Sequence, residues 1–427
     1  MKRYLTLFLL FWVLTTAFAQ VVGKNIVVTV TPDHQDWNYK VGEEASFQVR
    51  VLRSGTLVDQ VEVDYEAGPE MYPTVVRKNV ILKDGTMSWK GKLTHPGFYR
   101  LKVTAHVNGN QYAGLCTVGF SPERIQPATQ CPANFDEFWS TALHNARKLD
   151  LDPHLSFLSD CSTKDVNVYE VSFINDRPNG RIFGILCVPT KEGRYPALLR
   201  VPGAGVRPYS GDIWTASQGA ITLEIGIHGI PVTMPQPVYD ELYKGGLDGY
   251  YDVNLENPDK NYYKRVVVGA VRAVDYIASL SQWNGQCIGV TGSSQGGFLS
   301  LAVAALDKRI SFMAAVHDAM CDYESELNKV AGGWPHYFYW DPSPSKQRID
   351  GARYYDGVNF ARRISCPSWF SFGYNDEVVP PTSSYGVYNV VNAQKTLSVY
   401  PLTGHYWFQE QWDEWENWLL MQMKINH

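Results

Sequence analysis

The tightest constraint on this chain is the run Gly292-Ser293-Ser294-Gln295-Gly296-Gly297, which lies between a short apolar stretch, Gln286 to Thr291, and an apolar helical stretch, Gly296 to Leu306. This is G-x-S-x-G at a strand-to-helix junction. Small residues on both sides let strand and helix approach closely, and the turn holds the serine strained at the tip of a sheet. Ser294 is the candidate nucleophile. Ser293 is not, because the positions two before and two after it are Thr291 and Gln295. The bland alternative is a turn without chemistry or one that binds phosphate, but no Lys follows as in a P-loop and G-x-G-x-x-G is missing.

The surrounding text agrees with a mostly parallel sheet wrapped by helices. After a Pro-containing connector, Pro122 to Pro132, helical patterns alternate with apolar strands. Strands are expected over Val166 to Phe173, Arg181 to Val188, Ala197 to Val201, Ala220 to Ile227, Ser311 to Val316, Pro367 to Phe372 and Thr396 to Tyr400. Helices are expected over Asn134 to Ala146, Tyr262 to Ser281 and Phe408 to Lys424, the second with a stripe of Val267, Val271, Val274 and Ile277. Upstream the rhythm differs. Seven short alternating runs between Ile26 and Val118, separated by turn residues such as Ser54-Gly55, Asp84-Gly85 and Asn108-Gly109, predict an antiparallel, immunoglobulin-like β-sandwich. Its sequence has no row of exposed Trp or Tyr to mark a sugar platform, so the sandwich reads as a rigid spacer.

The first residues read as an address. Lys2 and Arg3 precede an apolar run, Tyr4 to Thr16, and Ala17-Phe18-Ala19 is a small-x-small cleavage site. The expected organisation is a signal peptide over 1–19, the sandwich over 20–121 and an α/β-hydrolase domain over 122–427. Export to the periplasm or the outside follows, with no membrane span. The 427 residues carry 43 acidic and 38 basic side chains, a net charge of −5, and loss of Lys2 and Arg3 would take it from −5 to −7. That balance speaks against a nucleic-acid partner. Seven cysteines are scattered without CxxC or zinc spacing, and an odd count leaves at least one thiol free. Cys187 and Cys287, inside apolar runs, read as buried small hydrophobes. No metal-ligand cluster and no cofactor motif is visible, so neither is expected.

A serine hydroxyl needs a base that is oriented by a third group, and in this fold the partners follow in the order Ser, Asp or Glu, His. Four histidines lie beyond Ser294: His317, His336, His405 and His427. His427 is terminal, His317 comes too early to leave room for an acid-bearing strand, and His336 sits in an aromatic loop suited to covering a site. His405 follows the last strand and precedes the final helix, where the base belongs. Asp376 is the first carboxylate after the Pro367 strand, with Glu377 as its neighbouring rival. The oxyanion hole is expected from the backbone amides of Gln295 and Ala204, Gly203 being the next choice for the second donor. His228 reads as a histidine that satisfies its own loop, and Phe408, Trp412, Trp415 and Leu419, which recur at helical spacing, as core.

The elbow Gly292 to Gly297, the loop Asp376-Glu377-Val378-Val379-Pro380-Pro381-Thr382-Ser383 and the helix Pro132-Ala133-Asn134-Phe135-Asp136-Glu137-Phe138-Trp139 together resemble the acetyl xylan esterase and cephalosporin C deacetylase family. The resemblance runs from about Pro132 to the C-terminus. It implies an α/β-hydrolase that removes acetyl groups from xylo-oligosaccharides or similar small acetylated compounds. Three positions depart from the family pattern. Pro202-Gly203 replaces His-Gly, Ile227-His228-Gly229-Ile230 stands where Arg-Gly-Gln is expected, and Tyr406 rather than Glu follows the histidine. None removes a member of the Ser294, His405, Asp376 set. The reading is thus a serine carboxylesterase working through an acetyl-enzyme. A peptidase or other ester hydrolase of the same fold, and a silent glycan-binding protein, remain the alternatives.

Overall fold

Alternation of apolar and polar residues builds the N-terminal part, and two sheets result, antiparallel except where Asn38–Tyr39 pairs in parallel with Asn110–Phe120. The computed structural model describes residues 25–425, so the expected signal peptide, its cleavage point near Ala19 and His427 lie outside the described residues. One sheet has four strands, Ile26–Pro32, Ala45–Arg53, Thr56–Leu57 and Thr86–Gly91. The other has five, in the order Asn38–Tyr39, Asn110–Phe120, Gly97–Val107, Val61–Pro69 and Val75–Leu82. Phe47, Val49, Leu101, Val103, Cys116 and Val118 fill one apolar core between them. The layout is compatible with the expected sandwich. The strand expected over Leu57 to Tyr65 is broken, because Gln60 turns with φ 52° and splits it in two.

Beyond the 3-10 turn Pro122–Arg124, the periodicity produces a nine-stranded sheet. From edge to edge it runs His154–Phe157, Val166–Ile174, Arg181–Pro189, Ile221–Gly226, Tyr195–Arg200, Trp283–Ser293, Ile310–Val316, Ser368–Phe372 and Lys395–Val399. The first three pairings are antiparallel and the remaining five parallel, so the sheet is mixed, with its parallel half around the Ser294 strand. Helix Tyr262–Ser279 starts where the Asn261 side chain accepts the Tyr263 amide at 2.8 Å, and it buries Val267, Val271, Val274 and Ile277 completely. Each such aliphatic side chain contributes roughly 1.5–3 kcal/mol by leaving water. Helix Gln295–Leu306 is apolar all round and almost wholly buried, as a helix enclosed by other elements must be. The final helix, Gln409–Met423, covers the other face of the sheet through Trp415, Leu419 and Leu420.

The two parts share a core. Phe372, Tyr374 and Tyr385 of the C-terminal part belong to the same apolar cluster as the sandwich interior, with Phe98 against the Tyr374 ring at 4.8 Å. All seven cysteines are free; Cys187 is buried as expected, whereas Cys287 is only half-buried. No described helix is long and apolar enough to cross a membrane.

The interior also contains the fully buried Asp318, which burial pushes up to about 8. A carboxyl raised in the folded state gives stability that is complete below the unfolded value of about 4 and is lost as pH climbs through the folded value. Asp318→Asn keeps the shape and removes the charge, so its gain in Tm over wild type should widen between about pH 5 and about pH 9. Thermal melts at the two pH values check this, and a gap independent of pH would contradict it.

Candidate active site

Ser294 stands between the sheet's central strand and its buried helix, with φ 61° and ψ −124°. A non-glycine residue with positive φ is strained and persists only where its surroundings hold it. Here the Ser294 amide donates to Val316 O at 2.8 Å, and the Ser294 carbonyl accepts from the Ala319 amide at 3.1 Å. The flanking glycines are required by close approach. A side-chain carbon at Gly292 would lie 2.6 Å from both Val201 O and Gly296 O, and one at Gly296 would lie 2.4 Å from Val201 O. Strand, elbow and helix can therefore pack only with hydrogen at these two positions.

Gln295 opens the helix, so its amide lacks an intrahelical partner and is free to point at a ligand. Its side chain, completely buried, accepts from the Tyr250 and Tyr263 hydroxyls at 2.8 and 2.7 Å and donates to Pro202 O at 3.2 Å. The loop after the Tyr195–Arg200 strand is thus tied to the elbow. Ala204 lines the cavity beside Ser294. Gly203 abuts the elbow, since a side-chain carbon there would lie 3.9 Å from Ser294 Cβ. Arg207 Nη1 and Nη2 donate to Ala204 O and Gly203 O at 2.9 and 3.3 Å, which fixes those two peptide groups.

His405 and Asp376 are brought together. The imidazole Nδ1 is 2.8 Å from Asp376 Oδ2, while Asp376 Oδ1 accepts the Val378 and Val379 amides at 2.8 and 2.9 Å. Burial raises the Asp376 carboxyl, but the hydrogen bond from His405, the neighbouring His405 and His317 rings and the Val379 amide outweigh it and hold the group below the ordinary carboxylate value. An ionised carboxylate in this position fixes the imidazole's tautomer, leaving its other nitrogen to accept a proton. Glu377 is turned away and pairs with Lys102 at 2.8 Å, so the choice between the two acids falls to Asp376. No hydrogen bond joins Ser294 to His405 among the described residues. The two side chains share the wall of one cavity of about 830 Å³; such bonds often tighten only once substrate is bound.

Three further histidines are now placed. His317 is buried against the pair, its Nδ1 3.7 Å from Asp376 Oδ2 and its ring perpendicular to that of His405 at 5.1 Å. Burial pushes it down to about 4, and it is neutral near pH 7. Donor atoms of His317, Asp376 and His405 lie within 4.8 Å of one another, and the shared carboxylate oxygen is already engaged by His405. His228 bonds Tyr262 and Gly205 O at 2.7 and 3.0 Å, which is the loop-satisfying role expected of it. His336 bridges Glu326 and Val378 O at 3.0 and 3.1 Å.

Two groups of residues escaped the sequence. Trp412 and Trp415, expected as core, also line the cavity together with Trp407. Helical spacing identifies a buried stripe but not whether a core or a cavity lies beside it. The second group supports the acid from the sandwich. Arg100 Nη2 donates to Asp376 O at 2.9 Å while its Nε donates to Thr117 Oγ1 at 2.7 Å. Asn375 Oδ1 accepts the Thr117 amide at 2.9 Å, and its Nδ2 donates to Leu115 O at 3.3 Å. The carboxamide thus occupies the edge of strand Asn110–Phe120 as a neighbouring strand would.

Comparison with known proteins agrees with this geometry. The family model described as acetyl xylan esterase (AXE1) matches residues 123–421. An acetyl esterase, Axe7A, from Xylanibacter ruminicola is 37% identical over 399 residues, covering 92% of this chain and 90% of that protein. Among solved structures, acetyl xylan esterases from Paenibacillus sp. R4 and from Thermoanaerobacterium sp. JW/SL YS485 each superpose with a TM-score of 0.61 at 24% identity. They cover 70% of this chain but 98% and 97% of their own lengths, so they share the α/β-hydrolase fold and this chain has additional structure. With the family match extending over most of the sequence and the curated relative aligned along nearly all of it, the chain belongs to the acetyl xylan esterase family and is a carboxylic ester hydrolase.

Proposed function

We propose that the chain is an exported serine esterase that deacetylates acetylated xylo-oligosaccharides or similar small acetyl esters. The observation that carries this reading is the meeting, on one cavity wall, of a strained Ser294 and of His405, which the buried Asp376 backs from the interior. In this reading His405 takes the Ser294 proton as Oγ attacks the acetyl carbonyl. The developing oxyanion is held by the Gln295 and Ala204 amides, each such donor being worth about 3–4 kcal/mol in the transition state. His405 then protonates the departing sugar oxygen, and a water that it deprotonates clears the acetyl group from Ser294. Residues 122–427 form the catalytic domain, and 20–121 an immunoglobulin-like sandwich. Removal of 1–19 on export would leave both intact.

Acetate release from acetylated xylo-oligosaccharides, run beside para-nitrophenyl acetate, tests the proposal. Wild type should release acetate from the sugar, and Ser294→Ala should release none from either substrate. Turnover of the nitrophenyl ester alone would overturn the sugar substrate and leave the triad standing. Asp376→Asn should lower kcat on the order of 10⁴-fold, because the imidazole is then held in the wrong tautomer; a drop below about tenfold would contradict the acid's role.

The sandwich contacts generate a separate expectation. Because Arg100 holds the carbonyl of Asp376, Arg100→Ala should cut kcat roughly 10- to 100-fold with KM little changed, a small displacement of a catalytic group being enough for such a loss. Arg100→Lys should recover part of it. A fall in Tm with kcat and its pH profile unmoved would make the arginine a structural residue only.

A further inference from the structure

The cavity that contains Ser294 does not end at its own rim. Tyr251, Trp334 and Val378 line both it and a second cavity of about 460 Å³. His336, Trp340 and Glu377 in turn line both that second cavity and a third of about 320 Å³. The far wall of the third cavity is made by the sandwich, through Glu66, Met71 and Pro73. Three adjoining cavities, together termed the trough, thus lie in series from the proposed nucleophile, past the aromatic loop, to the N-terminal sheets.

Trp340 occupies the middle of this trough with 76% of its surface in water, the most exposed large apolar side chain among the described residues. None of the four apolar clusters includes it. Its loop is nonetheless rigid. The buried Glu326 carboxylate accepts the Phe338 and Tyr339 amides at 2.9 and 3.1 Å and bonds His336 at 3.0 Å. The Tyr339 ring packs on Tyr72 of the sandwich at 5.6 Å and on Trp340 at 4.8 Å. An aromatic face kept exposed and pre-ordered binds a flat, partly apolar ligand with little entropy left to lose. Both signs of charge line the trough: Arg200, Arg207 and Glu224 beside Ser294, and near Trp340 Asp252 paired with Arg348 at 2.6 Å and Glu377 with Lys102 at 2.8 Å. No field of a single sign selects a charged chain, and the hydroxyls of a neutral sugar find both donors and acceptors.

Resting on the esterase reading above, we propose that the trough is a glycan-binding cleft that seats several sugar units of an acetylated neutral oligosaccharide. The acetylated unit lies at Ser294, a neighbouring unit stacks on Trp340, and the next meets the sandwich. The N-terminal sheets are then part of the substrate site rather than the spacer that their sequence suggested.

The test measures kcat/KM for acetylated xylose and acetylated xylo-oligosaccharides of increasing length, in wild type and in Trp340→Ala, with para-nitrophenyl acetate as the small-ester reference. Wild type should gain about tenfold or more from the shortest to the longest sugar, and Trp340→Ala should lose that gain, in line with an aromatic contact of about 1.5 kcal/mol. The nitrophenyl ester should be turned over equally by both proteins. Trp340→Phe should retain most of the gain and Met71→Glu should reduce it only for the longest sugars. Chain-length dependence that is flat in wild type, or unchanged in Trp340→Ala, would overturn the cleft and would mark Trp340 as a contact for some other partner. Loss of acetate release from every sugar with the nitrophenyl ester intact would instead refute the underlying substrate reading.

Discussion

The turn from Gly373 to Val379 is the point on which the site depends, because three parts of the chain converge there. Asp376 has to present one carboxylate oxygen to His405 from a place that no water reaches, and a buried charge is tolerated only when its hydrogen-bonding capacity is met. Two backbone amides and an imidazole meet it. The backbone is fixed in turn by Arg100 at the Asp376 carbonyl, by Asn375 along the edge of a sandwich strand, and by the Asn375 amide on Thr403 O at 3.1 Å. The last of these ties the acid's turn to the loop that bears His405. Solved relatives of the same fold are almost fully covered by 70% of this chain, so the sandwich contacts are additional to the shared hydrolase frame.

The elbow is a different kind of constraint. Its strain is local, and small residues make it possible: hydrogen at Gly292 and Gly296 lets the Val201 carbonyl come within 2.6 Å or less of where a side chain would begin. Gln295 then extends the elbow's influence sideways, locking the Pro202–Gly203 segment with one buried carboxamide that both accepts and donates. The family's His-Gly is replaced by Pro202-Gly203 here, and the loop is held instead by Gln295, Arg207 and His228, each bonded to a carbonyl between Pro202 and Gly205. Loss of the family's histidine therefore leaves the loop anchored.

Local chemistry made much of this legible in the sequence. The placement of Ser294 at a strand-to-helix turn and of His405 in the loop before the final helix was readable from their neighbours along the chain, and the buried Val267 to Ile277 stripe because periodicity reports burial. What escaped was of two kinds. Edge pieces such as Asn38–Tyr39 and the exposed His154–Phe157 are too short, at two and four residues, for a period to stand out. Contacts between distant segments carry none at all: Arg100 and Asp376 are 276 residues apart, and nothing in either neighbourhood announces the other. The same limit hides the adjacency of the three cavities, which arises only once Trp334, Trp340 and the sandwich residues Met71 and Pro73 are folded near one another.

Trapping the covalent intermediate tests the chemistry most directly. Rapid acid quench of wild-type protein turning over para-nitrophenyl acetate, followed by peptide mass analysis, should find one acetyl group on the peptide containing Ser294. The adduct should disappear in Ser294→Ala, and should form far more slowly in His405→Ala, which lacks the base for acylation. An acetyl group carried by any other residue, or full turnover with no adduct and an unaffected Ser294→Ala protein, would contradict a serine mechanism at this elbow.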